Sequence, residues 1–192
     1  MAAFFLAEED GFIVGRLTVL DNRLYNEYNH EKTAFIYQFE CEPDLDIAKH
    51  LFESGIKWAR SRGLNKLLGP KGFTALEGLG LLVKGFELRP PFGLPNNAPF
   101  YPEFLESLGF ETVNDIISGY LGADIQYPER IHEISARVQE RRGLRITRFH
   151  NRRELRRAIS YRRELYNGAL EGTSGGTLVN DEGIKILADH LA

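Results

Sequence analysis

The densest chemistry in the sequence is a seven-residue run, Glu40-Cys41-Glu42-Pro43-Asp44-Leu45-Asp46, where the chain's single thiol sits among carboxylates. A thiol becomes a nucleophile when a cation or a histidine lowers its pKa. Here the neighbours are negative and no histidine lies near in sequence, so Cys41 reads as a small buried apolar residue. Carboxylates just before a helix accept bonds from its free N–H groups and suit the positive end of its dipole. That is the plain reading of Glu42, Asp44 and Asp46. The same charges, next to a Pro43 that has no N–H, repel a phosphate. Asn96 and Asn97 offer amides that could hold a ligand, or else could serve as turn residues before Pro99. No cluster of Cys and His has metal-ligand spacing.

The elements that position these groups follow from pattern. Phe4–Glu8 and Phe12–Leu20 read as strands joined at Asp10-Gly11, a two-residue hairpin signal. The polar stretch 21–31 reads as a loop. Thr33–Cys41 is a long strand with Phe35, Tyr37 and Phe39 expected on one face and Ala34 and Ile36 on the other, as in a central strand. Apolar residues at Ile47/Ala48, Leu51/Phe52, Gly55/Ile56 and Ala59 recur at helical spacing after Asp44, and Gly63 stops that helix. A short strand over 64–68 completes a strand–helix–strand crossover with parallel strands. Residues 69–98 carry six glycines and four prolines together with many apolar residues. They are expected to form an ordered, partly buried loop of the kind that lines a site. A helix over 99–108 ends at Gly109, and strands are expected over 110–113 and 116–121. Pro128 opens a helix with the stripe Ile131, Ile134, Val138. A strand over 144–149 follows, then a helix capped by Asn151 and Glu154, a turn at 172–176 and a last helix over 181–191.

This order of elements resembles the GNAT superfamily of acyl-CoA N-acyltransferases, from its second strand onward. The most telling residues are Asn97-Ala98, Tyr101 and Leu108-Gly109-Phe110, together with the loop from Gly69-Pro70 through Gly80-Leu81-Leu82-Val83-Lys84-Gly85-Phe86 to Pro90-Pro91, which looks like a poorly characterised branch. The resemblance implies an α+β fold with a mixed sheet flanked by helices and a GNAT-like core over 1–127. It also implies an activity, transfer of an acyl group from acetyl-CoA or another acyl-CoA to an amine. In this reading Glu40 is the base and Tyr101 the acid, and Phe39, Cys41 and Asn97 line the cofactor. Residues 128–192 resemble the strand–helix–helix beginning of the same fold, placed after its end. A permuted chain, a fragment of tandem repeats, or a homodimer that exchanges this unit would each explain that. Two departures stand out. The family's phosphate-binding turn is rich in glycine, and here it is acidic. The family's tyrosine four residues before the Gly-Phe pair is Leu105 here, which leaves Tyr101, one turn earlier, to substitute. Packing with a tethered hydroxyl is the plainer role for Tyr101, and an ordinary strand-end carboxylate is the plainer role for Glu40.

Composition narrows the classes. The chain has 192 residues, 43% hydrophobic and 27% charged, and can bury a core. No apolar stretch approaches the roughly 20 residues of a membrane span. The first residues turn acidic rather than basic, unlike a signal peptide, and a lone cysteine fits a reducing, cytoplasmic setting. The net charge of −3 hides an asymmetry: residues 129–164 hold 12 arginines against 5 glutamates, whereas 1–128 hold 18 acids against 11 bases. A solvated helix face, a protein interface and a polyanion site are the three readings of those arginines. Sparse aromatics there and a pI near 6.0 argue against nucleic acid. Two functions of different class therefore accompany the acyltransferase: a non-catalytic binding or assembly module on the same fold, and a polyanion binder.

Overall fold

The computed structural model describes residues 1–74, 78–91, 93–143, 147–160, 163–171 and 178–191. Strands β1 (Ala2–Glu9) and β2 (Phe12–Leu20) pair antiparallel. Both turn residues between them have positive φ, 49° at Asp10 and 83° at Gly11, which matches the twist a two-residue hairpin requires. β3 (Thr33–Cys41) lies antiparallel beside β2, and β4 (Lys66–Leu68) lies parallel beside β3, so the order is β1-β2-β3-β4. The crossover from β3 to β4 is α2 (Leu45–Ser61), which turns Ala48, Leu51, Phe52, Gly55 and Ala59 into the molecule. These pack on Leu17, Val19, Ala34, Ile36 and Phe39 of the sheet, and Tyr101 and Leu105 of α3 (Tyr101–Ser107) close the same cluster. The result is an α+β fold with a four-stranded mixed sheet flanked by helices.

Three expectations are corrected. Residues 21–31 are not all loop, because α1 (Arg23–Asn29) forms there. The Asn22 side chain accepts from the Tyr25 N–H at 3.2 Å and begins the helix, while His30 ends it in the left-handed conformation. Tyr25 then stacks edge-on against Phe35, with ring centroids 4.8 Å apart, under a second small cluster with Leu20. The asparagines that suggested a loop are caps and ties: Asn26 bonds both the N–H and the carbonyl of Thr33 at 2.9 Å. Second, Phe39 does not share a face with Phe35 and Tyr37. Gln38 takes a φ of 50° and the register with β2 shifts between Arg16 and Thr18. The bulge adds one residue and reverses the alternation beyond it, so Phe39 joins Ala34 and Ile36. Third, the expected strands over 110–113 and 116–121 do not form. Most of that stretch is exposed and pairs with no strand of the sheet, and β-propensity without a partner does not make a strand.

The C-terminal part holds α4 (Glu129–Arg142), α5 (Arg152–Ser160), α6 (Arg163–Leu170) and α7 (Asp181–Leu191). Asn151 accepts from the Glu154 N–H at 2.9 Å, and Glu154 reaches back to the His150 N–H at 2.9 Å, the reciprocal cap the sequence suggested. Val179 and Ile184 form a small cluster with Tyr166. Of the strand expected over 144–149, residues 144–146 lie outside the described residues and 147–149 are not strand. The turn expected over 172–176 also lies outside them. Among the described residues no helix is long and apolar enough to cross a membrane.

One buried cation has a measurable effect. Lys71 is 2% exposed, and its ammonium lies 4.8 Å from the Phe35 ring centroid and 5.1 Å from that of Tyr25. Burial holds its pKa below the ordinary 10.5. Below the folded-state value the amine is charged in both states and the burial cost is present in full. As pH rises through that value toward 10.5 the folded state sheds its proton first, so stability increases. Lys71→Met is expected to abolish this alkaline gain, read as the difference between wild-type and variant urea midpoints from pH 7 upward.

Candidate functional site

The C-terminal end of β3 is where the chemistry-bearing residues gather. The bulge at Gln38 sends Phe39 toward α2 and α3. There its ring sits 4.9 Å from that of Phe52 and 5.0 Å from that of Tyr101. The contacts continue as an aromatic chain, Phe104 to Phe100 (4.9 Å), Phe100 to Tyr101 (4.8 Å) and Phe52 to Phe110 (5.2 Å). Phe100, Phe104 and Phe110 are half-buried. They keep an apolar edge at the surface where β3 ends and α3 begins. The i, i+4 spacing of Phe100 and Phe104 was the available sequence signal for this wall.

Tyr101 is tied to the strand end by its hydroxyl. That oxygen accepts from the Cys41 N–H at 3.0 Å and donates toward the Cys41 carbonyl at 3.4 Å. Burial pushes the phenol's pKa above its ordinary value, and the Cys41 backbone bond opposes that in part. The group is therefore protonated at neutral pH, and in chemistry it is an acid rather than a base. Cys41 is half-buried and its thiol is pushed up to about 11, by burial first and then by the charges of Asp44 and Glu42. It is a neutral thiol at physiological pH.

The turn after Cys41 satisfies its own amides. The Glu42 N–H bonds to the Val14 carbonyl at 2.9 Å, the Asp44 N–H to the Glu42 carbonyl at 2.6 Å, and the Asp46 N–H to the Asp44 carboxylate at 2.7 Å. Of the donors that would face a pyrophosphate at the start of α2, the Asp46 N–H is thus spent, and the charge around them is negative. These residues do not fit a phosphate group.

The remaining site candidates are separated from this cluster. Glu40 lies on the opposite side of the sheet from α2, largely exposed, with its carboxylate 3.0 Å from Arg16. An exposed pair of this kind contributes little. Asn97 is half-buried and fully engaged. Its carbonyl oxygen accepts from the Leu82 N–H at 2.7 Å, and its amide donates to the carbonyls of Leu82 and Ala98 at 3.1 Å. It pins the loop 78–91 against the start of α3. The structure thus brings Phe39, Cys41 and Tyr101 together, sets Asn97 behind them as a loop clamp, and places Glu40 across the sheet. At the other end of β3, Asp21, Glu27, Glu31, Arg23, Lys32 and Arg62 line an open depression of about 310 Å³. The buried Asp21–Arg62 pair there, 2.7 Å apart, ties the end of α2 to the end of β2.

Comparison with known proteins gives two relatives. The chain is 23% identical to Protein YghO of Escherichia coli (strain K12) over 188 residues, 97% of this chain and 47% of that protein. It is 28% identical to the bacterial ceramide synthase of Caulobacter vibrioides (strain NA1000 / CB15N) over 116 residues, 59% of this chain and 30% of that enzyme. The chain therefore spans about half the length of the first and under a third of the second. No family model matches, and no solved structure matches.

Proposed function

We propose that the chain is part of an amide-forming acyltransferase of GNAT type that moves an acyl group from an acyl-CoA to an amine. The observation that carries this reading is the partial similarity to a ceramide synthase, since a ceramide is an N-acylated amino alcohol. The half-buried aromatic edge of Phe100, Phe104 and Phe110 beside Tyr101 supports it, because such a surface suits an apolar acyl chain. In the reaction the neutral amine nitrogen attacks the thioester carbonyl, a C–N bond forms and the C–S bond breaks. One proton leaves the nitrogen and one reaches the departing sulfur. Tyr101, protonated and poised at the strand end, is proposed as the donor to sulfur. The amine's proton passes to solvent water, because Glu40, which the family resemblance offers as base, lies across the sheet from the Tyr101 cluster and is paired with Arg16. In this reading Phe39 and Cys41 contact the donor's acyl end, and Asn97 holds the loop over it. The acidic turn implies that the donor is held by its apolar portion and not by a phosphate grip.

A second reading, a non-catalytic module on the same fold, is favoured by that same turn and by the full engagement of Asn97. Calorimetric titration with a long-chain acyl-CoA, acetyl-CoA and free CoA, followed by CoA release in the presence of a long-chain amino alcohol, separates the two. The acyltransferase reading expects saturable micromolar binding of the long-chain donor, weak binding of free CoA, and amine-dependent CoA release. Absence of any binding at millimolar donor rejects the acyltransferase reading for this chain.

A further inference from the structure

Two surfaces of this chain are exposed and complementary to each other. The first is the outer side of the β1–β2 hairpin. β1 alternates, with Phe5 and Ala7 packed against the main cluster and Phe4 and Leu6 exposed on the other side. Its tip carries Glu8, Glu9 and Asp10, all exposed. The second is α4, a 14-residue helix that buries no residue. Its apolar stripe, Ile131, Ile134 and Val138, is exposed, with the i, i+3, i+7 spacing of a face made to be covered. Arg141 and Arg142 follow Val138 by three and four residues and continue that face at the helix's C-terminal end.

The two patterns match in order, length and sign. From Ile131 to Arg142 the helix advances about 16 Å, and from Phe4 to Glu9 the strand advances about 17 Å. Each begins apolar and ends charged, acidic on the hairpin and basic on the helix. Arg141 and Arg142 stand in the last turn, at the negative end of the helix dipole, and the hairpin acids offer their guanidinium groups a counter-charge.

We infer that the chain forms a two-fold homodimer in which α4 of one copy covers the outer face of the β1–β2 hairpin of the other. Both halves of the contact are on one chain, so a two-fold axis makes it twice. The doubled patch buries Phe4, Leu6, Ile131, Ile134 and Val138 from each copy at its centre and leaves the charged groups at the rim, the arrangement of a stable interface. Glu8 and Glu9 facing Arg141 and Arg142 fix the direction of the helix along the strand.

The test is sedimentation equilibrium of the protein across a wide concentration range, with three variants whose changed side chains are all exposed. Wild type is expected to give the mass of two chains. Ile134→Glu is expected to raise the dimer dissociation constant at least about tenfold, with an unchanged circular-dichroism spectrum. Glu8→Arg with Glu9→Arg is expected to do the same by charge repulsion, and adding Arg141→Glu with Arg142→Glu to that variant is expected to bring the constant back to within about threefold of wild type. A single-chain mass at every concentration overturns the inference, whether α4 then lies on its own hairpin or the patch takes up lipid vesicles. A dimer that survives Ile134→Glu, or one the second charge reversal does not restore, overturns it as well.

Discussion

Tyr101→Ala is expected to lose about 3–5 kcal/mol of stability, and Tyr101→Phe about 1–3 kcal/mol. The alanine variant removes a ring packed against both Phe39 and Phe100, leaving a hole in the cluster that joins α3 to the sheet. The phenylalanine variant keeps the ring and removes only the oxygen that accepts from the Cys41 N–H, so a part-buried donor loses its partner. Chemical denaturation measures both losses. The same phenylalanine variant separates packing from catalysis. If the hydroxyl supplies a proton to the leaving sulfur, turnover falls about 100-fold or more while the variant is still folded and still binds the donor. If the hydroxyl is only a tie, turnover follows the folded fraction and the pH profile keeps its shape.

Gly69→Ala should be at least as damaging, with a loss of about 3 kcal/mol or more. Gly69 has φ +146°, and a Cβ placed there would sit 2.6 Å from the Ile36 side chain, 2.6 Å from the Ile36 carbonyl oxygen and 2.9 Å from the Lys71 N–H nitrogen. That carbonyl is the acceptor of the Lys71 N–H at 2.7 Å, so the methyl group cannot be admitted without breaking the bond that starts the loop 69–98. Gly78→Ala is the control. Its φ is +91°, but nothing lies within 4 Å of the added carbon, so only the backbone term remains, about 1 kcal/mol. A Gly69 variant no less stable than the Gly78 variant would show that this close approach is not a constraint on the fold.

The parts of the fold legible in the sequence are those where local pattern and tertiary partner agree. β2 and β3 run over the expected residues because both alternate and both have neighbours. α2 begins at Asp44 because a carboxylate there accepts from the Asp46 N–H, a purely local event. The failures are all non-local. Nothing in Thr33–Cys41 announces that Gln38 will bulge, since the shift depends on β2 pairing with Tyr37 on one side of it and Glu40 on the other. That single residue decides that Phe39 and Glu40 lie on opposite sides of the sheet, and so which candidates can share a site. Stretch 116–121 has the composition of a strand but pairs with no edge of the sheet. Stretch 21–31 has the composition of a loop, but Tyr25 finds Phe35 and a helix forms. For the site, the clustering of Phe39, Cys41 and Tyr101 was anticipated by resemblance, whereas the consumption of Asn97 by Leu82 could be read only from coordinates.

The tie between Tyr101 and Cys41 also orders events in time. It joins residues 60 apart in sequence, and closing a loop of that length costs on the order of 4 kcal/mol in chain entropy. The β1–β2 hairpin closes across two residues and α2 propagates turn by turn, so neither waits for such a closure. α3 can dock only after the sheet and α2 have built the surface that receives it, and its detachment leaves both of them in place. The end of β3 is therefore exposed by an excursion that leaves the sheet standing. The proton on the Cys41 amide would exchange with solvent at the rate of that excursion, a clock for the opening of the aromatic wall set by a single hydrogen bond.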